Sequence, residues 1–214
     1  MTELIPQFID FVLHLNVHLD ELVSSYGVWV YAILFLIIFC ETGLVVLPFL
    51  PGDSLLFAAG AVAASGRLDI LALCSLLIAA AVLGNAVNYW VGRLAGAEMQ
   101  RRFPRLIKPQ HLARTRAYFE RFGGKTIVIA RFVPIVRTIA PFAAGVGEMP
   151  HLRFQGYSIA GSLLWVLLLV PAGYFFANVP VVKENFSVVI IGIIIVSILP
   201  AIVEFVRERA RVSP

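Results

Sequence analysis

The feature that most constrains this chain is a set of ionisable residues placed inside segments apolar enough for lipid. The stretch ARFVPIVRTIAPFAAG, residues 130–145, carries Arg131 and Arg137, with Pro134 and Pro141 close by. Upstream, Glu41 is followed by VVLPFLPGDSLLFAAGAVAAS, an apolar run broken by Pro48, Pro51, Gly52 and Asp53. Hydrocarbon satisfies neither a broken backbone nor a bare charge. An ionised residue at a helix centre costs about 2.5–3.5 kcal/mol on insertion scales, so four unpaired would cost roughly 10 kcal/mol. That approaches the whole stability of a typical domain, ~5–15 kcal/mol. Glu41, Asp53, Arg131 and Arg137 must therefore pair, face water or bind something.

Composition supports the lipid setting. Of 214 residues, 60% are hydrophobic and only 14% charged, with a mean hydropathy of +0.90. A soluble domain is nearer a quarter charged, so the chain reads as an integral membrane protein with one compact membrane domain. The net charge of +4 reports loop topology and contact with anionic lipid before it reports nucleic-acid binding. Cys40 and Cys74 lie in apolar runs and offer neither a disulfide framework nor metal-ligand spacing. The N-terminus has no basic region and no small-residue cleavage site, so the first apolar segment is expected to stay as an anchor.

Residues 4–23 place apolar side chains at helical spacing, punctuated by Asp10, His14, His18, Asp20 and Glu21. This pattern predicts an amphipathic helix lying at the interface, with His14 and His18 on a solvated face rather than at a metal. Residues 26–40 begin a span, with Tyr26, Trp29 and Tyr31 as interface anchors. Legs of roughly ten residues either side of Pro-Gly-Asp-Ser reach only halfway across a bilayer, so about 42–66 reads as a re-entrant hairpin. Residues 70–96 form a full span, in which Gly84, Asn88, Gly92 and Gly96 recur every fourth residue as a stripe for close helix packing. Residues 97–125 hold eight Arg and Lys against Glu98 and Glu120, which makes this loop cytoplasmic by the positive-inside rule. Spans at about 154–178 and 186–206 and a basic tail follow. Two spans between two basic, cytoplasmic segments require that about 126–148 enter and leave on one side.

The two broken segments also resemble each other: PFLPGDSLLFAAG from Pro48 to Gly60, and PIVRTIAPFAAG from Pro134 to Gly145. The topology count inverts one against the other, as in repeat-built transporters. Their charges are complementary, acids on the first and arginines on the second. The expected architecture is an all-α integral membrane protein with an N-terminal amphipathic helix (1–25). A membrane domain (26–178) and a C-terminal transmembrane helix with a basic cytoplasmic tail (179–214) complete it. It has about four transmembrane helices and two inverted re-entrant hairpins, with Pro48, Pro51, Gly52, Pro134 and Pro141 as hairpin breakers.

Two arginines near half-helix N-termini make an anion site, since a guanidinium matches phosphate bidentately. Carboxylates in a partly dry cavity can exchange protons with solvent. Together these suit a proton-coupled carrier of an anionic amphiphile, with Arg131 and Arg137 binding the head-group phosphate and Glu41 and Asp53 carrying protons or gating. Competing readings are a scaffold whose charges only fix geometry and a lipid phosphatase. The histidines (His14, His18, His111, His151) are scattered without a serine or aspartate constellation, which disfavours the enzyme.

The stretches ETGLVVLPFLPGDSLLF, GNAVNYWVGR, ARFVPIVRTIAPFAAGVGEM and GSLLWV resemble the bacterial DedA family, part of the wider SNARE-associated or VTT-domain group. The resemblance implies a multi-pass inner-membrane protein with two re-entrant hairpins. It also implies flipping of undecaprenyl phosphate or phospholipids driven by the proton motive force, in support of envelope integrity. Uptake of a small oxyanion such as selenite is the alternative it brings. The implied partners are membrane lipids and protons, with homo-oligomers compatible and no nucleic acid, cofactor or metal. The family's essential acids and arginines fall on Glu41, Asp53, Arg131 and Arg137. Asn85 departs from the Asp that relatives often carry, which bears on proton coupling.

Overall fold

The computed structural model describes residues 15–44, 52–102 and 123–180, together with helical positions 182, 186, 188–193 and 195. Every regular element among them is a helix: α1 (Leu15–Tyr26), α2 (Trp29–Gly43), α3 (Gly52–Ala64), α4 (Ile70–Arg102), α5 (Lys125–Ala130), α6 (Pro134–Val146) and α7 (His151–Phe176). Of the expected N-terminal helix, α1 is seen from Leu15 onward. Residues 1–14, Pro48, Pro51, His111, most of the basic loop and most of the last predicted span lie outside the described residues.

Two helices are long and apolar enough to cross a membrane among the described residues, Ile70–Gly96 within α4 and all of α7. The 33 residues of α4 extend about 50 Å at 1.5 Å per residue, more than the hydrocarbon core requires. The predicted span from 70 to 96 thus runs on as helix to Arg102, six residues into the predicted basic loop. The apolar α2, α3 and α6 are shorter, 15, 13 and 13 residues. At about 20 Å each they fall short of the ~30 Å core.

The chain divides into two compact units. One comprises Met1–Phe35, Phe49–Leu77 and Val166–Pro214, the other Leu36–Pro48 and Ile78–Trp165. In the first, α1 packs on α3, and Leu55, Leu56, Phe57, Val62 and Val170 are buried. Asp69 caps α4 by accepting from the Ala72 amide (2.7 Å), and the Tyr31 hydroxyl meets the Asp69 amide (2.7 Å). In the second, α5 packs on α6 around Tyr89, Ile127, Ala130, Ala140, Ala144, Met149 and Phe154.

Helix-to-helix approach in both units depends on glycine, and in the same pattern. In the first unit a Cβ on Gly60 would strike the carbonyl of Val170, and one on Gly173 the carbonyl of Phe57. In the second, a Cβ on Gly145 would strike the carbonyl of Tyr89, and one on Gly92 the carbonyl of Phe142. Phe57-Ala-Ala-Gly60 on α3 and Phe142-Ala-Ala-Gly145 on α6 therefore dock on α7 and α4 with matching register. The resemblance between the two broken segments extends from sequence to packing.

Proline acts differently at its two described positions in the quoted stretch. The break after α5 is a tight turn closed by i to i+3 bonds to Arg131, Phe132 and Val133 (3.3, 3.1 and 3.0 Å). Val133 is extended (φ −119°, ψ 107°) and Pro134 opens α6, as the steric rule for a residue before proline and the tolerance of proline at N1 require. Pro141, expected to break the chain, lies inside α6 instead. Its ring withholds the amide that Arg137's carbonyl would accept from, but the surrounding backbone holds its helical path. Gly52 likewise opens α3.

Alanine at Gly145 or Gly92 is expected to destabilise the purified protein by about 1–3 kcal/mol, because a methyl there meets rigid backbone. Nothing stands within 4 Å of a Cβ on Gly156, in the body of α7. Gly156→Ala is expected to be neutral or to stabilise by about 0.5–1 kcal/mol through helix propensity. Thermal unfolding in detergent reads both signs.

Candidate functional site

The second unit gathers three of the four predicted charges. Glu41 lies two residues from the end of α2, Arg131 caps α5 and Arg137 sits in the first turn of α6. All are buried: Glu41 is 0% exposed, Arg131 5% and Arg137 6%. The Arg137 guanidinium donates from Nη2 to Glu41 Oε1, closing an ion pair between residues 96 apart in sequence.

Both guanidiniums also lie over one indole. The Arg131 Cζ is 4.7 Å and the Arg137 Cζ 5.2 Å from the ring centroid of Trp165, itself 1% exposed. A tryptophan face attracts cations through its quadrupole, by ~2 kcal/mol or more when desolvated. Trp165 therefore offsets part of the cost of bringing two like charges together. One turn earlier on α7, a Cβ on Gly161 would stand in ordinary contact with Val128 Cα (3.4 Å) and Arg131 Cδ (3.6 Å), so this part of α7 lies beside α5.

Asn88 fixes the backbones that carry the pair. Its Nδ2 donates to the carbonyl of Thr42 (3.1 Å) and to that of Thr138 (2.8 Å), the residues that directly follow Glu41 and Arg137. One fully buried amide thus ties the end of α2 and the start of α6 to α4. Its Oδ1 has no partner among the described residues. One turn to either side, Gly84 admits Thr42 and Phe39, and Gly92 admits Phe142. The Thr42 hydroxyl bonds back to the Ile38 carbonyl (2.8 Å). Asn85, on the same helix, is buried and donates to Ser158 Oγ (3.0 Å). A carboxylate at that position would instead have to accept from Ser158.

The fourth predicted residue, Asp53, belongs to the first unit, in the opening turn of α3 and partly buried beside buried Ser54. A carboxylate in a first helical turn complements the helix dipole. His18, predicted on a solvated face, lies 3.6 Å from Glu21 on α1. Cys40 is half-buried and Cys74 buried in apolar helices. Sequence reasoning gave no role to Trp165 and read Asn88 as packing. The available signal for Trp165 was its place: it sits mid-helix in an apolar span, far from the interface where an indole N–H finds water.

Fold and site together define a helical membrane protein with a buried arginine–carboxylate centre. The VTT domain is matched over residues 50–175. Protein DedA of Escherichia coli is 53% identical over 210 residues, covering 97% of this chain and 96% of that protein. An uncharacterised membrane protein of Mycobacterium tuberculosis is 42% identical over 182 residues, 82% of this chain and 79% of its own. Inner membrane protein YghB of Escherichia coli is 36% identical over 157 residues, 73% and 72% of the two chains. No solved structure matches. The chain belongs to the DedA family of VTT-domain membrane proteins.

Replacing Asn88 with Ala removes the donors to two buried carbonyls and is expected to cost about 1–3 kcal/mol. Asn88→Asp, which offers no donor, is expected to cost more than the alanine change. Thermal unfolding of the purified variants measures the order, and wild-type stability in both would remove the clamp.

Proposed function

We propose that this protein is a carrier, not an enzyme, that moves a lipid phosphate across the bacterial inner membrane. The substrate class is undecaprenyl phosphate or a phospholipid, and movement is coupled to protons. The observation that carries the reading is the convergence of Arg131 and Arg137 on the buried Trp165 indole, with Glu41 already on one of them. A guanidinium fork donates to phosphate oxygens as it donates to carboxylate oxygens.

On this reading Glu41 and the substrate compete for Arg137. Phosphate takes the guanidinium as Glu41 takes a proton, so binding of the anion is linked to proton uptake at Glu41. Arg131, over the same indole, holds the second phosphate edge. Asp53 serves proton transfer or gating from the first unit. Segments 42–66 and 126–148 act as re-entrant hairpins, and the basic loop and the C-terminus face the cytoplasm. The short lengths of α3 and α6 and their matched glycine packing support the hairpins. The supporting relatives are the inner membrane protein YghB and the uncharacterised membrane protein of Mycobacterium tuberculosis, named only as membrane proteins.

Reconstituted protein is expected to flip polyprenyl phosphate or phospholipid in a pH gradient, and Arg131→Ala with Arg137→Ala to reduce this to the protein-free background. Glu41→Gln, which mimics the protonated acid, is expected to bind substrate at least as well while losing the response to the gradient. Full flipping by the double arginine variant sinks the carrier.

A scaffold remains the competing reading, because the Glu41–Arg137 pair joins two helix ends as a purely structural bridge does. It predicts that Glu41→Arg combined with Arg137→Glu regains function in cells. The carrier predicts that the exchanged pair folds, by thermal unfolding, yet stays inactive.

A further inference from the structure

Arg93 lies three residues inside the end of the apolar span Ile70–Gly96. Its Nη1 donates to the Tyr89 hydroxyl (2.8 Å), and that hydroxyl donates to the Met149 carbonyl (2.5 Å). The phenol is thus occupied as both acceptor and donor, and it holds the guanidinium in one place. No carboxylate among the described residues meets Arg93, whose remaining N–H groups stay available. Beside it, the Trp90 indole is 45% exposed, with its ring centroid 5.7 Å from the Arg93 Cζ. The His151 imidazole stacks obliquely on Trp90 (5.2 Å) and on Tyr89 (5.4 Å). Its Nδ1 is turned inward while the ring keeps part of its surface open.

An arginine near the end of a span ordinarily stretches its stem until the head reaches water. Arg93 is not free to do so, because Tyr89 and Met149 hold it against the aromatic ledge. A fixed guanidinium with unused donors, beside an exposed indole at the polar end of a span, matches one anion that is always present at that depth. We propose that Arg93, Trp90 and His151 form a docking site for the phosphate of an anionic phospholipid, distinct in its residues from the Glu41–Arg131–Arg137 centre. The guanidinium takes two phosphate oxygens, the indole lies along the glycerol region, and the imidazole edge closes the third side. The site holds lipid against the protein whether or not the buried centre transports one.

The test uses the full-length purified protein in neutral detergent, titrated with phosphatidylglycerol, phosphatidylcholine or inorganic phosphate, and read by native mass spectrometry and thermal unfolding. Phosphatidylglycerol is expected to bind and stabilise the wild type, and the other two not. Arg93→Gln is expected to weaken phosphatidylglycerol binding about fivefold, the worth of one surface cation near anionic lipid. Arg93→Lys keeps the charge but loses the fork and the hold of Tyr89, so it serves if the glutamine variant does not fold; it is expected to bind more weakly than wild type. Wild-type binding by a folded Arg93 variant overturns the proposal. Equal stabilisation by inorganic phosphate overturns the lipid headgroup as ligand, and equal stabilisation by phosphatidylcholine overturns the requirement for net negative charge.

Discussion

A carboxylate and a guanidinium buried in an apolar helical matrix must stay together, and much of the second unit is arranged so that Glu41 and Arg137 do. The two residues come from α2 and α6, which have no chain connection near the pair. Each docks on a different part of one face of α4: α2 at Gly84, α6 at Gly92, with Asn88 between them bonded to both backbones. A side chain larger than hydrogen at either glycine would lift a helix and pull the charges apart. The stripe is therefore more than a surface for close packing. It sets the register at which the ion pair closes.

The fold was legible in outline because apolar length and interruption by proline and charge are direct consequences of the bilayer as solvent. The charges of the site were legible for the same reason: Glu41, Arg131 and Arg137 were conspicuous where an ionised group is costly. Their pairing was not, since 96 residues separate Glu41 from Arg137 and sequence carries no register between α2 and α6. Asn88 was hidden in a stripe whose spacing fits packing as well as hydrogen bonding. Pro141 was misread because proline lowers helix stability without forbidding a helix. The extended residue 133 and the N1 position of Pro134 place the break at the first of the two expected prolines.

The repeated FAAG segments make a further point about how function sits on this frame. Phe57–Gly60 and Phe142–Gly145 dock on their partner helices by the same pair of glycine-to-carbonyl approaches. Counting back from the phenylalanine, the position of Arg137 corresponds to Gly52, and that of Thr138 to Asp53. The packing solution is shared, whereas the polar residues at the head of each helix differ in kind and sign. A frame held by backbone contacts can tolerate this divergence, because the contact residues lie one turn or more from the charged ones.

The choice of an ion pair for the buried position is informative in itself. Apolar side chains of similar volume would join α2 to α6 at least as well, since burying two charges costs about as much as their attraction returns. A pair near that balance point can exchange one partner for another anion at small net cost, whereas a packed apolar contact has nothing to exchange. Trp165 strengthens the point. Its face stabilises the two guanidiniums irrespective of which anion they meet, so the hold on Arg131 and Arg137 does not depend on the carboxylate alone. Asn88, in turn, secures the backbones through Thr42 and Thr138 rather than through the charged side chains. Position and charge are thus maintained by different atoms.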